Sequence, residues 1–256
     1  IKISLVNNNS KEKETFKFLS EYEKKEKKNI SLEHDNNSFN YSKLNNNSVK
    51  NNSDFKPDYI LFLNNDIEFQ NEKTLEIMTS FLEGNLKAAA CGMTLLYQTQ
   101  KLQHLFLAPG VKIGGAHPLK GKTFNPSWQW FKSPRQVPAI TGALMLVRAS
   151  DFNAASGFDE KLASSCQDMD LCLKFLKLKK ESWVLPNLTA IHHETQTRKP
   201  LQKKEELTYF YKKWKSELSS DEVYPHKLSR WSEEPVYSLG EGAYPWGEIL
   251  GIINFQ

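Results

Sequence analysis

Tyr59-Ile60-Leu61-Phe62-Leu63 is a continuous apolar run of strand length that stops abruptly at Asn64-Asn65-Asp66. A strand apolar on both sides belongs inside a sheet covered on both faces, and such sheets are built by alternating strands with helices. The rest of the chain alternates in this way. Ile3-Ser4-Leu5-Val6 and Ile30-Ser31-Leu32 read as short strands around a charged amphipathic helix over 11–28, with Phe16, Leu19 and Tyr22 on one face. A helix is expected over 72–83, and strands over 88–97 and 139–147. A helix over 168–178 carries Leu171, Phe175 and Leu178 on one face; short strands follow at Trp183-Val184-Leu185 and Ala190-Ile191, then a helix over 205–218. Between the two middle strands, 109–138 is rich in Gly, Pro and aromatics and reads as an irregular excursion. The expected class is α/β, with a mainly parallel sheet flanked by helices.

Composition narrows the function classes. Of 256 residues, 39% are hydrophobic and 12% aromatic, enough to bury a sizeable core and to exclude wholesale disorder. The net charge of +4 is too small, and its cations too scattered, for a nucleic-acid binder. No apolar run has the length of a membrane span. Cys91, Cys166 and Cys172 form no CxxC or zinc spacing, and their odd number speaks against a disulfide framework; a reducing, cytoplasmic setting is the simplest reading. Fifteen of the first 71 residues are asparagine, and on composition alone this Lys- and Ser-rich stretch reads as loop-rich.

Three places can carry chemistry. Asp66 follows the central strand, and in open α/β sheets ligands bind beyond the carboxyl ends of the strands. A carboxylate there either holds a divalent cation on a diphosphate or caps the helix that follows. Asp168 and Asp170 open the helix over 168–178, where acidic side chains favour the helix dipole and where one facing a cleft can act as general base. His192 and His193 end the strand at Ala190-Ile191; an imidazole there is either a metal ligand or structural. Asp66, Asp168 and His192 are far apart in sequence, and only a common sheet edge would bring them together.

An ordered series of stretches makes the reading specific: 39–46, Leu61 to Asp66, Leu95-Leu96-Tyr97, Gln103-His104, Gly115-Ala116-His117, Thr141-Gly142-Ala143, Gly157-Phe158-Asp159-Glu160 leading to Asp168-Met169-Asp170, His192-His193, and Asp221 to Pro225. In order and spacing the chain resembles the family 2 glycosyltransferases of the GT-A fold, in the bacterial branch that builds O-antigen and other surface polysaccharides. The resemblance covers 1–230 as one domain and leaves 231–256 as a tail, whose Trp231, Tyr237, Tyr244 and Trp246 either pack on the domain, the favoured reading, or touch an acceptor. It implies Mg²⁺ or Mn²⁺ at Asp66 and His192, with His193 as the other choice, and Asp168 as general base. It implies donor contacts at Asn7, Asn45, Asn64, Asn65 and Arg198. Thr141, Gly142, Ala143 and Asp170 would lie beside the donor sugar and acceptor. Gln103, His104 and His117 match family positions without an assigned role.

The implied function is inverting transfer from a nucleotide-diphosphate sugar to a saccharide or lipid-linked acceptor in surface-polysaccharide synthesis. It would take place in the cytoplasm or, by peripheral association, at the inner face of the membrane. The chain departs from the family in starting after its first strand and in carrying Asn7 and Asn64 where acids are usual. A non-catalytic GT-A-like saccharide- or partner-binding protein is therefore the alternative. A metal-dependent hydrolase or nucleotidyltransferase is a further one, but no Gly-rich phosphate loop or close ligand set is visible. Trp128 and Trp130 offer either a sugar-stacking face or core packing.

Overall fold

A computed structural model describes residues 1–24, 29–193, 203–238 and 245. The first elements are β1 (Ile3–Asn7), α1 (Lys13–Lys24), β2 (Ile30–His34) and α2 (Tyr41–Asn51), with β1 and β2 forming a separate parallel pair. Then come β3 (Tyr59–Leu63), β4 (Ile67–Phe69), α3 (Thr74–Gly84), β5 (Ala88–Leu96) and β6 (Leu102–His104). The remainder is β7 (Arg135–Val137), β8 (Leu144–Arg148), α4 (Ala149–Ala154), α5 (Gln167–Lys177), β9 (Glu181–His192) and α6 (Lys204–Leu218).

The second sheet has seven strands, β3-β8-β5-β9-β4 in order, with β6 paired to β5 and β7 to β9. The α/β class holds, but the expectation of mainly parallel pairing needs correcting. Among the described residues of this sheet, only β5 and β9 pair in parallel; β8 lies antiparallel between β3 and β5, and β4, β6 and β7 are antiparallel additions. An apolar run marks a buried strand without giving its direction. The Tyr59–Leu63 run, expected as a central strand covered on both faces, is instead the edge strand β3, with only Phe62 buried and Leu63 44% exposed. Because β8 reverses between β3 and β5, the strands β3, β5 and β9 still run the same way, and their carboxyl ends share one edge.

β5 is buried at all nine positions because it is covered on both faces. Cys91, Met93 and Leu95 meet Met78 and Leu82 of α3 on one side. Ala89 and Ala90 join the cluster of Leu171 and Phe175 from α5 and Phe210, Tyr211 and Trp214 from α6 on the other. β9, expected as two short strands, is one strand interrupted by an irregularity. Pro186 has no N–H to give the ladder, so the pairing with β5 jumps from Met93–Leu185 to Thr94–Thr189, while the Thr94 hydroxyl donates to the Pro186 carbonyl (2.9 Å). Beyond this bulge the strand resumes and ends at His192.

α2 corrects the loop-rich reading of the asparagine stretch. Asn40 is extended and its side chain accepts from the Lys43 N–H (2.9 Å), a helix N-cap. The low helix propensity of Asn45, Asn46 and Asn47 is overridden by tertiary contacts. Ser42, fully buried, donates to the Leu162 carbonyl (2.6 Å), and Asn46 clamps the Phe158 backbone by donating to its carbonyl (2.9 Å) and accepting from its N–H (3.0 Å). Gly157 permits the approach: its φ is +64°, and a Cβ there would come within 2.7 Å of Asn46 Oδ1.

The excursion between β6 and β8 is irregular as expected, apart from a 3₁₀ turn at Gln129–Lys132 and β7. Trp130 packs against Phe106 and Phe131, and Trp128 stacks on Phe131 while remaining 45% exposed. In the tail, Tyr237 is 79% exposed and does not pack as expected, while Tyr244 and Trp246 lie outside the described residues. The three cysteines are free and buried. Among the described residues, no helix is long and apolar enough to cross a membrane.

Candidate active site

The shared carboxyl edge of β3, β5 and β9 gathers most of the candidate residues. β3 delivers Asn64, whose N–H donates to the Ala143 carbonyl (2.8 Å) just before β8. Asn65 is exposed in the turn, and Asp66 precedes β4. α3 begins only at Thr74 with Lys73 as its flanking residue, so Asp66 does not cap a helix. Instead β4 pairs with the end of β9, placing Ile67 opposite His192. His192 Nε2 then stands 3.1 Å from Asp66 Oδ1. His193 is excluded from that position: its ring meets Gln98 (2.6 Å) and Glu68 (2.9 Å), and only its N–H reaches the Asp66 carbonyl (2.9 Å).

His192 Nδ1 lies 2.6 Å from Gln103 Oε1. The next residue of β6, His104, is buried and accepts from the Thr141 N–H through Nε2 (3.3 Å). Its remaining ring proton is therefore on Nδ1 and points at His117 Nδ1 (3.0 Å). Burial pushes both imidazoles toward the neutral form, His104 well down and His117 to about 4, helped by the charge of Lys120.

Asp168 enters from the first turn of α5. Its Oδ2 accepts from the Gly142 N–H (3.1 Å) and its Oδ1 from the Met169 N–H (2.9 Å). Burial raises its pKa above the ordinary carboxylate range, against the lowering effect of these N–H groups and of Thr141. Tyr41 donates to the Gly142 carbonyl (2.7 Å), and a Cβ on Gly142 would sit 2.8 Å from the Tyr41 hydroxyl, so the 141–143 segment is held from α2 and α5 together. Burial and the Asp168 charge raise the Tyr41 phenol, which stays protonated as a donor. A continuous chain of contacts therefore runs Asp66–His192–Gln103, then along β6 to His104–Thr141, and from Gly142 to Asp168.

Asp170 does not join this edge. Two residues along a helix lie on nearly opposite faces, and Asp170 is fully buried against α6, accepting from Lys213 (2.6 Å) and Trp214 Nε1 (2.8 Å). The expected donor or acceptor contact at Asp170 is corrected to a structural anchor. Asn7 ends β1, buried, with its side chain 3.2 Å from His34 Nδ1 on β2. Asn45 donates to the Tyr41 carbonyl of its own helix (2.8 Å). A groove beside Asn7 is lined by His34, Asp35, Leu44 and Asn47, so the neighbours of Asn45 rather than Asn45 itself face it. Arg198 lies outside the described residues. Tyr41 and Gln103 lie in matching stretches but were not assigned roles from the sequence; neither a tyrosine in an asparagine run nor a neutral amide points by itself to a chemistry.

The donor set fits a divalent cation. Asp66 Oδ1 is buried and accepts no hydrogen bond, and it faces an imidazole nitrogen. Among the described residues, no group of three or more His, Cys, Asp and Glu side chains forms a closed cage. Two protein ligands leave most of a cation's coordination to ligand oxygens and water, the usual arrangement when phosphates share the metal.

Solved structures share this architecture. GalNAc-T7 in complex with UDP, GalNAc and Mn²⁺ matches with a TM-score of 0.61 at 11% identity, over 84% of this chain and 42% of that one. The mannosyltransferase PcManGT from Pyrobaculum calidifontis, in complex with GDP-Man and Mn²⁺, matches with a TM-score of 0.55 at 9% identity, over 88% and 56%. The fold is the GT-A glycosyltransferase fold. No protein-family model matches the GT-A chain. Its sequence is 27% identical over 208 residues to the O-antigen biosynthesis protein RfbC of Myxococcus xanthus, covering 77% of this chain and 15% of that protein. It is 29% identical over 141 residues to the rhamnosyltransferase WbbL of Escherichia coli K12, covering 53% and 52%. The GT-A chain thus spans from about a seventh to about half of these relatives' length.

Proposed function

We propose that the protein transfers a sugar from a nucleotide-diphosphate donor to a saccharide or lipid-linked acceptor, with inversion, in the synthesis of a surface polysaccharide. The observation that carries the proposal is the single edge on which Asp168 and the Asp66–His192 pair are joined through the 141–143 segment and β6. The O-antigen and rhamnosyltransferase relatives, and the structural neighbours in complex with UDP and GalNAc or with GDP-Man, support the class of donor and product.

Asp66 and His192 would hold Mg²⁺ or Mn²⁺. Such a cation, when bound, neutralises charge on the leaving diphosphate. Asp168 removes the proton from an acceptor hydroxyl as that oxygen attacks the anomeric carbon. A carboxylate raised by burial is better matched to that proton than an exposed one. The Gly142 N–H keeps one carboxylate oxygen fixed, so the base approaches the acceptor in one orientation. On this reading Asn64, Asn65, Thr141, Gly142 and Ala143 would contact the donor sugar and acceptor between the two carboxylates, and the groove beside Asn7 would take the nucleoside.

The test separates chemistry from binding. Asp168→Asn should lower turnover by about 10²–10⁴-fold while donor binding persists. Unchanged turnover removes Asp168 from the base role, and turnover absent from the wild type with donor binding present favours the non-catalytic alternative.

A further inference from the structure

We propose that Gln103 is a positioning residue that fixes His192 as the Nδ1–H tautomer, so that the Nε2 lone pair and Asp66 Oδ1 together face a divalent cation. The inference deepens the transfer reading above and rests on its metal site.

The hydrogen bonds determine the orientation of the amide. Gln103 is 6% exposed, so neither end of its amide turns freely to water. One end lies 3.4 Å from the His192 carbonyl, which can only accept. That end must be the NH₂ group, and Oε1 is thereby placed 2.6 Å from His192 Nδ1. A carbonyl oxygen accepts, so Nδ1 carries the proton. The flipped amide would set oxygen against oxygen at the backbone and is excluded on the same ground. In the neutral ring the proton on Nδ1 leaves Nε2 bare. Nε2 faces Asp66 Oδ1 at 3.1 Å, and that oxygen has no hydrogen-bond donor of its own.

Two lone-pair atoms held this close, one anionic, are stable with a positive charge between or beside them. The Nδ1–H to Oε1 bond also makes the ring a stronger ligand, as hydrogen-bonded partners of metal-ligating histidines do. The backbone reinforces the arrangement. The Pro186 bulge re-registers β9 so that His192 comes level with β4, while β6 brings Gln103 to its other side.

Two readouts test the inference. The first is ¹⁵N NMR of the His192 ring in the metal-free protein at alkaline pH. Wild type should show Nδ1 protonated and Nε2 bare, and Gln103→Leu a mixture of tautomers; a proton on Nε2 in the wild type overturns the proposal. The second is titration with Mn²⁺ in the presence of UDP or of GDP. Gln103→Leu should bind Mn²⁺ about 10–100-fold more weakly, and Gln103→Glu, which keeps an oxygen facing Nδ1, should bind near the wild-type value. Thermal unfolding of all three proteins separates a lost fold from a lost ligand. Unchanged Mn²⁺ binding in Gln103→Leu overturns the role of Gln103 and leaves the transfer reading standing. No Mn²⁺ binding in the wild type with either nucleotide overturns the metal site and this inference with it.

Discussion

The β1–α1–β2–α2 region and the seven-stranded sheet are held together by different means. In the sheet, β5 is buried at all nine positions and the helices on either face contribute Met78, Leu82, Phe175, Phe210 and Trp214, all essentially inaccessible. In the first region the joints are polar. Glu33 on β2 accepts from Ser4 on β1 and from Ser48 (2.8 Å), Asn51 (2.7 Å) and Asn52 (3.1 Å) on or beside α2. Phe16 and Phe18 of α1 remain about half exposed. The asparagines and serines that give this region its loop-like composition are the residues that pair its elements. Apolar burial sets the edge that carries Asp66 and His192, and side-chain hydrogen bonds attach the groove beside Asn7 to it.

Mutations should separate the two. Phe175→Ala removes a fully buried ring and should cost about 3–5 kcal/mol, lowering the midpoint of global unfolding by denaturant. Asn46→Ala breaks the clamp on the Phe158 backbone, which joins the two regions, and should cost about 1–3 kcal/mol. Glu33→Ala should cost about 1 kcal/mol and should appear as faster amide exchange in β1 and β2 with β5 unchanged. Equal loss of protection in β5 would show that the two regions unfold as one.

Acid should sharpen the contrast. Burial raises the Glu33 carboxyl, but hydrogen bonds from Ser4, Asn51, Ser48 and Asn52 outweigh it and hold the pKa below the usual value. A depressed carboxylate contributes stability that is complete above its unfolded pKa and lost as pH falls through the folded one. Protection of β1 and β2 should therefore fade below about pH 4, in an interval where Glu33→Gln is insensitive. An identical acid profile in that variant would remove Glu33 as the cause.

The same contrast explains what was legible in the sequence. The run at Tyr59–Leu63 is a strand at those residues, and the helices α3, α5 and α6 fall within two residues of their apolar periodicity, because burial writes a pattern. α2 was unreadable because its stability comes from Ser42 and Asn46 reaching Leu162 and Phe158, more than a hundred positions away. β8's reversal left no trace in composition. At the site, Asp66 and His192 were recognisable as polar residues ending apolar strands, and they touch. Asp170 looked equivalent to Asp168 in sequence, yet helix periodicity sends it to Lys213 and Trp214. Gln103 stood in a matching stretch but carried no role, because its contacts are two hydrogen bonds to a residue in another strand.

The central claim is that Asp66 and His192 serve a cation shared with a nucleoside diphosphate. Calorimetric titration with UDP and with GDP, each with and without Mn²⁺, on wild type, Asp66→Ala and Asp168→Asn tests it most directly. The account predicts Mn²⁺-dependent binding of one nucleotide to wild type and to Asp168→Asn, and its loss in Asp66→Ala. Binding that ignores the metal, or that survives intact in Asp66→Ala, would contradict it.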